Sequence, residues 1–198
     1  DGKQTTALNQ PKALPLIDGD GYLYCSGVSG NYASVPHDSS LSEIREVTVL
    51  FNAQTPDSAA ARYLFARPNA ANYQNSLVVE AVSSGNRVSF YDQGGSLVVT
   101  TTITFGNVYT VKLTFNGTAV QLFLDGVSVD TGTASSSNPF DISQNVLIGG
   151  GNTNRYFTGF IKSAVAKNAS GTTVLNIDVN ATNIRHNDTK FKCATGQT

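Results

Sequence analysis

The chain has 198 residues and a formal net charge of −1, with 14% charged and 40% hydrophobic residues. That is enough apolar material for one well-cored domain, while charge falls well below the roughly 25% of ordinary soluble domains. No basic excess marks a nucleic-acid footprint, no apolar run approaches the roughly 20 residues of a membrane-spanning helix, and Ser, Thr, Asn and Gly supply a polarity suited to turns and β-surfaces.

Residues 1–20 carry two prolines and no clear period, and read as an extended arm or linker. The domain is expected to open at Gly21, with a short strand at Tyr22-Leu23-Tyr24 and a second extended run from Tyr32 to Val35, stopped by Pro36. Asp38 to Arg45 suits one helical turn with Ser39 or Ser40 as its N-cap. Val47–Phe51 and Arg62–Phe65 read as strands. Ser76–Val82 and Arg87–Asp92 flank Ser84-Gly85-Asn86, a hairpin signature. Leu97–Thr104 is rich in Val and Thr, and Tyr109–Phe115 alternates apolar with polar residues. Asn116-Gly117 predicts a type I′ turn into Ala119–Leu124, and Asp125-Gly126 a second turn into Val127–Val129.

Val146–Val179 closes the pattern with an apolar strand, a Gly-rich polar loop, a strand entered through an aromatic-Gly-aromatic step, a turn at Asn168–Gly171 and a last strand. Residues 181–198 are polar and read as a tail or the start of a following segment. About a dozen short strands with no βαβ alternation predict an all-β, two-sheet antiparallel jelly-roll sandwich over residues 21–180. Cys25 and Cys193 fit either a bridge between first and last strands or two free buried thiols. The absence of Met and the ending KFKCATGQT point to processing or to a piece of a longer polypeptide.

Three segments carry a family resemblance. Leu122-Phe123-Leu124-Asp125-Gly126-Val127 resembles the strand, DG turn, strand step of concanavalin A-like and laminin G-like jelly rolls. Val146-Leu147-Ile148-Gly149-Gly150 with Tyr156-Phe157-Thr158-Gly159-Phe160-Ile161 resembles their closing strands. Gly21-Tyr22-Leu23-Tyr24, Gly27-Val28 and Gly30–Pro36 resemble the opening strands of laminin G-like domains in tailed-bacteriophage virion proteins. The resemblance implies a domain on the outside of a particle, serving adhesion or capsid decoration.

Catalytic chemistry finds little support. Glycan hydrolysis on such a sandwich needs two facing carboxylates, roughly 5–5.5 Å apart for retention, and jelly-roll glucanases are expected to place them alternately on one strand. Glu43 and Glu46 are three apart on a turn, Glu80 stands alone and Asp125 belongs to a hairpin. His37 and His186 lie outside any nucleophile elbow. The chain is therefore expected to be non-enzymatic. Asp18-Gly19-Asp20-Gly21 is like a calcium loop but lacks an EF-hand's remaining ligands, so a Gly-rich turn is the simpler reading. No cofactor is expected apart from calcium, which the resemblance allows at the sandwich rim.

Sugar recognition needs an aromatic face and directional polar groups. Asn152, Asn154, Arg155 and Tyr156 place two amides, a guanidinium and a phenol on one loop, and Tyr91 with Asp92 forms a second cluster. The alternative for the first is a turn-forming surface loop. Sequons at Asn116, Asn168, Asn180 and Asn187 matter only in a eukaryotic secretory host. The expectation is a non-enzymatic phage virion protein on the virion surface, in capsid decoration, head fibre or tail adhesion. Its partners would be other virion proteins and host cell-surface glycans, with neither nucleic acid nor membrane, in a homo-oligomer or larger assembly. The rival is a secreted, extracellular carbohydrate-binding module or glycan-active enzyme.

Overall fold

The computed structural model describes residues 12–15, 21–54, 61–67, 74–83, 85–137, 140, 144–150 and 155–179. Among the described residues fourteen strands run in chain order: β1 Lys12–Pro15, β2 Gly21–Ser26, β3 Ala33–Val35, β4 Ile44–Ala53, β5 Arg62–Ala66, β6 Ser76–Val82, β7 Gly85–Tyr91, β8 Leu97–Ile103, β9 Val108–Asn116, β10 Ala119–Leu124, β11 Val127–Thr133, β12 Val146–Ile148, β13 Thr158–Asn168 and β14 Thr173–Asp178. They form two antiparallel sheets. The larger has the order β1-β2-β13-β4-β9-β10-β11 with β14 also on β13, and the smaller β3-β12-β5-β6-β7-β8. This is the expected jelly-roll sandwich.

The long strand β13 joins the two ends of the domain. Its residues Thr158–Ile161 pair with β2 and Ser163–Lys167 with β14, so the opening and closing strands lie end to end along one edge. Alternation sends Val47, Val49 and Phe51 of β4 and Val111, Leu113 and Phe115 of β9 inward, against Leu77, Val79, Val88 and Phe90 of the smaller sheet. Phe140 sits among Phe65, Phe90 and Phe115 at centroid distances of 5.5, 5.9 and 5.6 Å. Such edge-on and tilted contacts are the favoured arrangement for aromatic rings.

Local expectations change in three places. Lys12–Pro15, within the expected arm, forms an edge strand on β2, with Ala13 opposite Leu23. The helical turn is a single 3-10 turn at Ser39–Leu41, and its cap is Asp38, whose Oδ1 accepts from Ser40 N at 2.8 Å. In the β9–β10 hairpin Asn116 pairs with Ala119, so the loop residues are Gly117 and Thr118. Only Gly117 has positive φ, at +60°, which matches type II′ and not type I′. Asp125-Gly126, with φ of +49° and +82°, has the I′ signature.

Cys25 is a free thiol in the core, where burial pushes its pKa up to about 12. Cys193, the polar tail and the calcium-like Asp18-Gly19-Asp20 lie outside the described residues.

Candidate functional site

Two neighbouring regions carry the chemistry. The first is the rim. After β12, Gly149 N donates to Leu64 O, Phe157 N returns to Gly149 O, and Arg155 O accepts from Tyr63 N. These bonds fix both ends of the loop that holds the predicted residues. Asn152 and Asn154 lie outside the described residues. Tyr156 lies beside Tyr32 of the loop between β2 and β3, rings 6.2 Å apart and 12° from parallel. Its Oη is hydrogen-bonded to Ser29 Oγ at 3.1 Å. Gly150 permits this approach, because a Cβ there would lie 2.5 Å from Tyr32 Cβ.

The second region is the outward face of the smaller sheet. Leu77 and Val79 of β6 and Val88 and Phe90 of β7 point into the main core. The alternate residues, Val78 and Glu80, Arg87, Ser89 and Tyr91, therefore point out. Tyr63, Ala61, Ala66 and Val78 form a small buried cluster there, with Tyr91 packed against it. Arg87 is the direct cross-strand partner of Glu80, and its Nε donates to Glu80 Oε1 at 3.1 Å. Tyr91 Oη donates to the same oxygen at 3.1 Å. On β8, Thr102 stands opposite Arg87, and Thr100 Oγ1 is hydrogen-bonded to Ser89 Oγ at 2.9 Å. The Glu80 side chain is 7% exposed and the Arg87 side chain 26%. The carboxylate is thus sunk into the face while the guanidinium reaches solvent. Tyr63 links the two regions, bonded to Arg155 by its backbone and packed in the Tyr91 cluster.

A laminin G-type profile matches residues 27–166, which is more than half of the sequence. The chain belongs to the concanavalin A-like lectin/glucanases superfamily. No curated protein matches it. Among solved structures the concanavalin A-like domain is similar to domain 4 of AbnA, a GH43 extracellular arabinanase from Geobacillus stearothermophilus, solved with arabinotriose. The TM-score is 0.56 at 13% identity, over 79% of this chain and 74% of that one. It is similar to the enzymatically active domain of tailspike protein 2 from bacteriophage CBA120, with TM-score 0.59 and 11% identity, over 85% of this chain and 28% of the tailspike. It also resembles the binding domain of Paraclostridial Mosquitocidal Protein 1, with TM-score 0.52 and 14% identity, over 86% and 42% of the two chains. At these identities the likeness is one of fold, and the chain spans well under half of the last two proteins.

Within this concanavalin A-like domain the two regions differ electrostatically. Burial, and then the Glu80 charge, push the Tyr91 phenol up to about 12, so it is a proton donor to Glu80 throughout the neutral range. The predicted neighbour Asp92 has a different task. Its Oδ1 accepts from Gly94 N and Ser96 N at 3.0 and 3.1 Å, and its Oδ2 from Ser135 N at 2.8 Å. Burial alone would raise its pKa, but the bonds from Ser135, Ser96 and Gly94 outweigh that and hold it below the usual carboxylate range. A lowered folded pKa contributes stability that is full above the unfolded value, about 3.9, and is lost as pH falls through the folded one. Asp92→Asn should cost about 1–3 kcal/mol at neutral pH and flatten the acid limb of stability, as read by urea melts across pH.

Among the described residues no three His, Cys, Asp or Glu side chains gather as metal ligands. Of the predicted residues, Arg155 and Tyr156 lie in succession on the rim, bonded to Tyr63 and stacked beside Tyr32 respectively, Tyr91 belongs to the sheet face and Asp92 to a turn. Glu80, Arg87, Tyr32 and Ser29 complete the site and were not singled out as binding residues. The sequence places the turn at Ser84-Gly85-Asn86, but Gly85 and Asn86 belong to β7 and pair with Val82 and Ala81, and that register sets Glu80 opposite Arg87; period-2 alternation then puts both outside.

Proposed function

We propose that this is a non-enzymatic glycan-recognition domain of a phage virion protein, gripping sugar on the outward face of the smaller sheet and on the adjoining rim. The observation that carries it is Arg87. Glu80 holds its Nε at 3.1 Å, Tyr91 bears on the same guanidinium, and the Arg87 side chain still keeps 26% of its surface exposed. A fixed guanidinium with an open edge, beside the half-buried Tyr91 ring and the exposed Thr102 hydroxyl, offers directional donors next to an apolar surface. The tailspike neighbour supports display on a particle, among other virion proteins in a larger assembly.

Glu80 argues against a hydrolase. Its carboxylate already accepts from Arg87 and Tyr91, and it is the one carboxylate on this face among the described residues, whereas hydrolysis needs a facing pair. Calorimetry against glycans selected on an array tests the reading. Arg87→Ala should weaken binding at least about tenfold, since losing a charged hydrogen bond costs roughly 1.5–3 kcal/mol, and no reducing sugar should be released. Unchanged affinity would remove the sheet face from the site. Absence of the protein from purified particles would end the virion assignment.

A further inference from the structure

We infer that the ligand edge at Arg87 is an uncharged sugar, read through a pair of neighbouring hydroxyls, and that acidic glycans are disfavoured there. The inference rests on the glycan-binding reading above and adds the ligand class. The charge of Arg87 is already matched: Glu80 Oε1 is 3.1 Å from its Nε. Tyr91 faces the same pair and stays neutral. An incoming carboxylate would meet the guanidinium with Glu80 directly behind it. At a distance attraction and repulsion largely offset each other, and at contact the anion must shed its hydration for a guanidinium whose charge is already partly compensated.

Hydroxyl groups face no such conflict. Two adjacent sugar oxygens accept from the terminal nitrogens of Arg87, whose planar fork matches that spacing. Their own protons remain free to donate onward to Thr102 Oγ1, on the residue directly opposite Arg87. Glu80 therefore acts as a specificity-determining residue without touching the ligand. It removes the long-range pull that would make an arginine attract any acid, and leaves the short-range geometry intact.

The test uses two oligosaccharides that differ only in charge, one neutral and one with its primary alcohols oxidised to uronic acids, titrated into the full chain at low and high salt. The neutral form should bind roughly tenfold tighter, with an affinity that salt barely moves, because it brings no charge for salt to screen. Glu80→Gln should narrow or reverse the preference by raising affinity for the acid, most strongly at low salt. Tighter, salt-sensitive binding of the acidic form by the wild-type chain would overturn the inference and leave glycan recognition standing. Binding of neither form, after a positive array signal for no other sugar, would overturn both. Lys112→Gln, on the larger sheet, should leave the preference unchanged; losing it there would place discrimination away from the Arg87 face and overturn the role of Glu80.

Discussion

Gly159→Ala is expected to destabilise the domain by about 4 kcal/mol, combining backbone strain of about 1–3 kcal/mol with overpacking of similar size. Gly159 sits at the start of β13 with φ of +143°. A Cβ there would lie 2.2 Å from Asn52 O and 3.0 Å from Phe157 Cζ. Asn52 belongs to β4, the central neighbour of β13, so the carbonyl has no room to move without breaking the sheet. The apparent melting temperature should fall by roughly 10 °C, given about 2–4 °C per kcal/mol for a domain of this size. Gly171→Ala is the control, since that residue has φ of +79° but nothing within 4 Å of an added Cβ. It carries the conformational penalty alone and should lose about 1–2 kcal/mol. Equal losses in urea melts of the two variants would show that the close approach at Asn52 contributes nothing. The distinction bears on the site, because Phe157 leads directly from Tyr156 into β13.

That glycine lies in the aromatic-Gly-aromatic step that marks the closing strands in the sequence. The step was legible because it is local: a glycine between aromatic residues where a strand begins has few other uses. The turn at Asp125-Gly126 was legible for the same reason, whereas the one expected at Ser84-Gly85-Asn86 lies earlier, since Gly85 and Asn86 pair within β7. Local patterns failed where the outcome depends on a partner strand. Lys12–Pro15 has no alternation, and Pro15 argues against a strand, yet an edge position beside β2 accepts it. Asn116-Gly117 looks like a turn pair, but pairing extends one residue further and takes Asn116 into β9.

The site divides along the same line. A cluster of Asn, Arg and Tyr advertises itself by composition, and Tyr156 does stack beside Tyr32 at the rim, while Arg155 is placed there by its carbonyl on Tyr63 N. Asp92 advertises itself equally but spends both oxygens on backbone N–H groups of Gly94, Ser96 and Ser135. Glu80 looked isolated because its neighbours in sequence are Val79 and Ala81. Its real neighbours, Arg87 and Tyr91, lie one strand away, and only the register brings them together.

Arg67→Met should cost about 2–5 kcal/mol, from several hydrogen bonds to a charged donor lost together and a buried carbonyl left without one. Arg67 follows β5 and is fully buried. Its Nη1 donates to Leu41 O at 2.7 Å. Nε and Nη2 both donate to Gln144 O, at 3.0 and 2.8 Å, and Nη2 also contacts His37 Nδ1 at 2.9 Å. Arginine only donates, so Nδ1 of His37 must be the acceptor. One side chain thus ties together the 3-10 turn, the loop before β12 and the segment after β3. Methionine would fill much of the volume but leave the buried carbonyl of Leu41 and the half-buried one of Gln144 without these donors, at about 1–3 kcal/mol for the first and less for the second. Lysine distinguishes donor geometry from charge. A single ammonium has three donors on one atom and cannot span carbonyls that the fork reaches from opposite ends, so Arg67→Lys should recover only part of the loss. Full recovery by lysine in denaturant melts would mean that charge, not the fork, holds these loops. Near-neutral behaviour of the methionine variant would mean that the chain satisfies both carbonyls some other way.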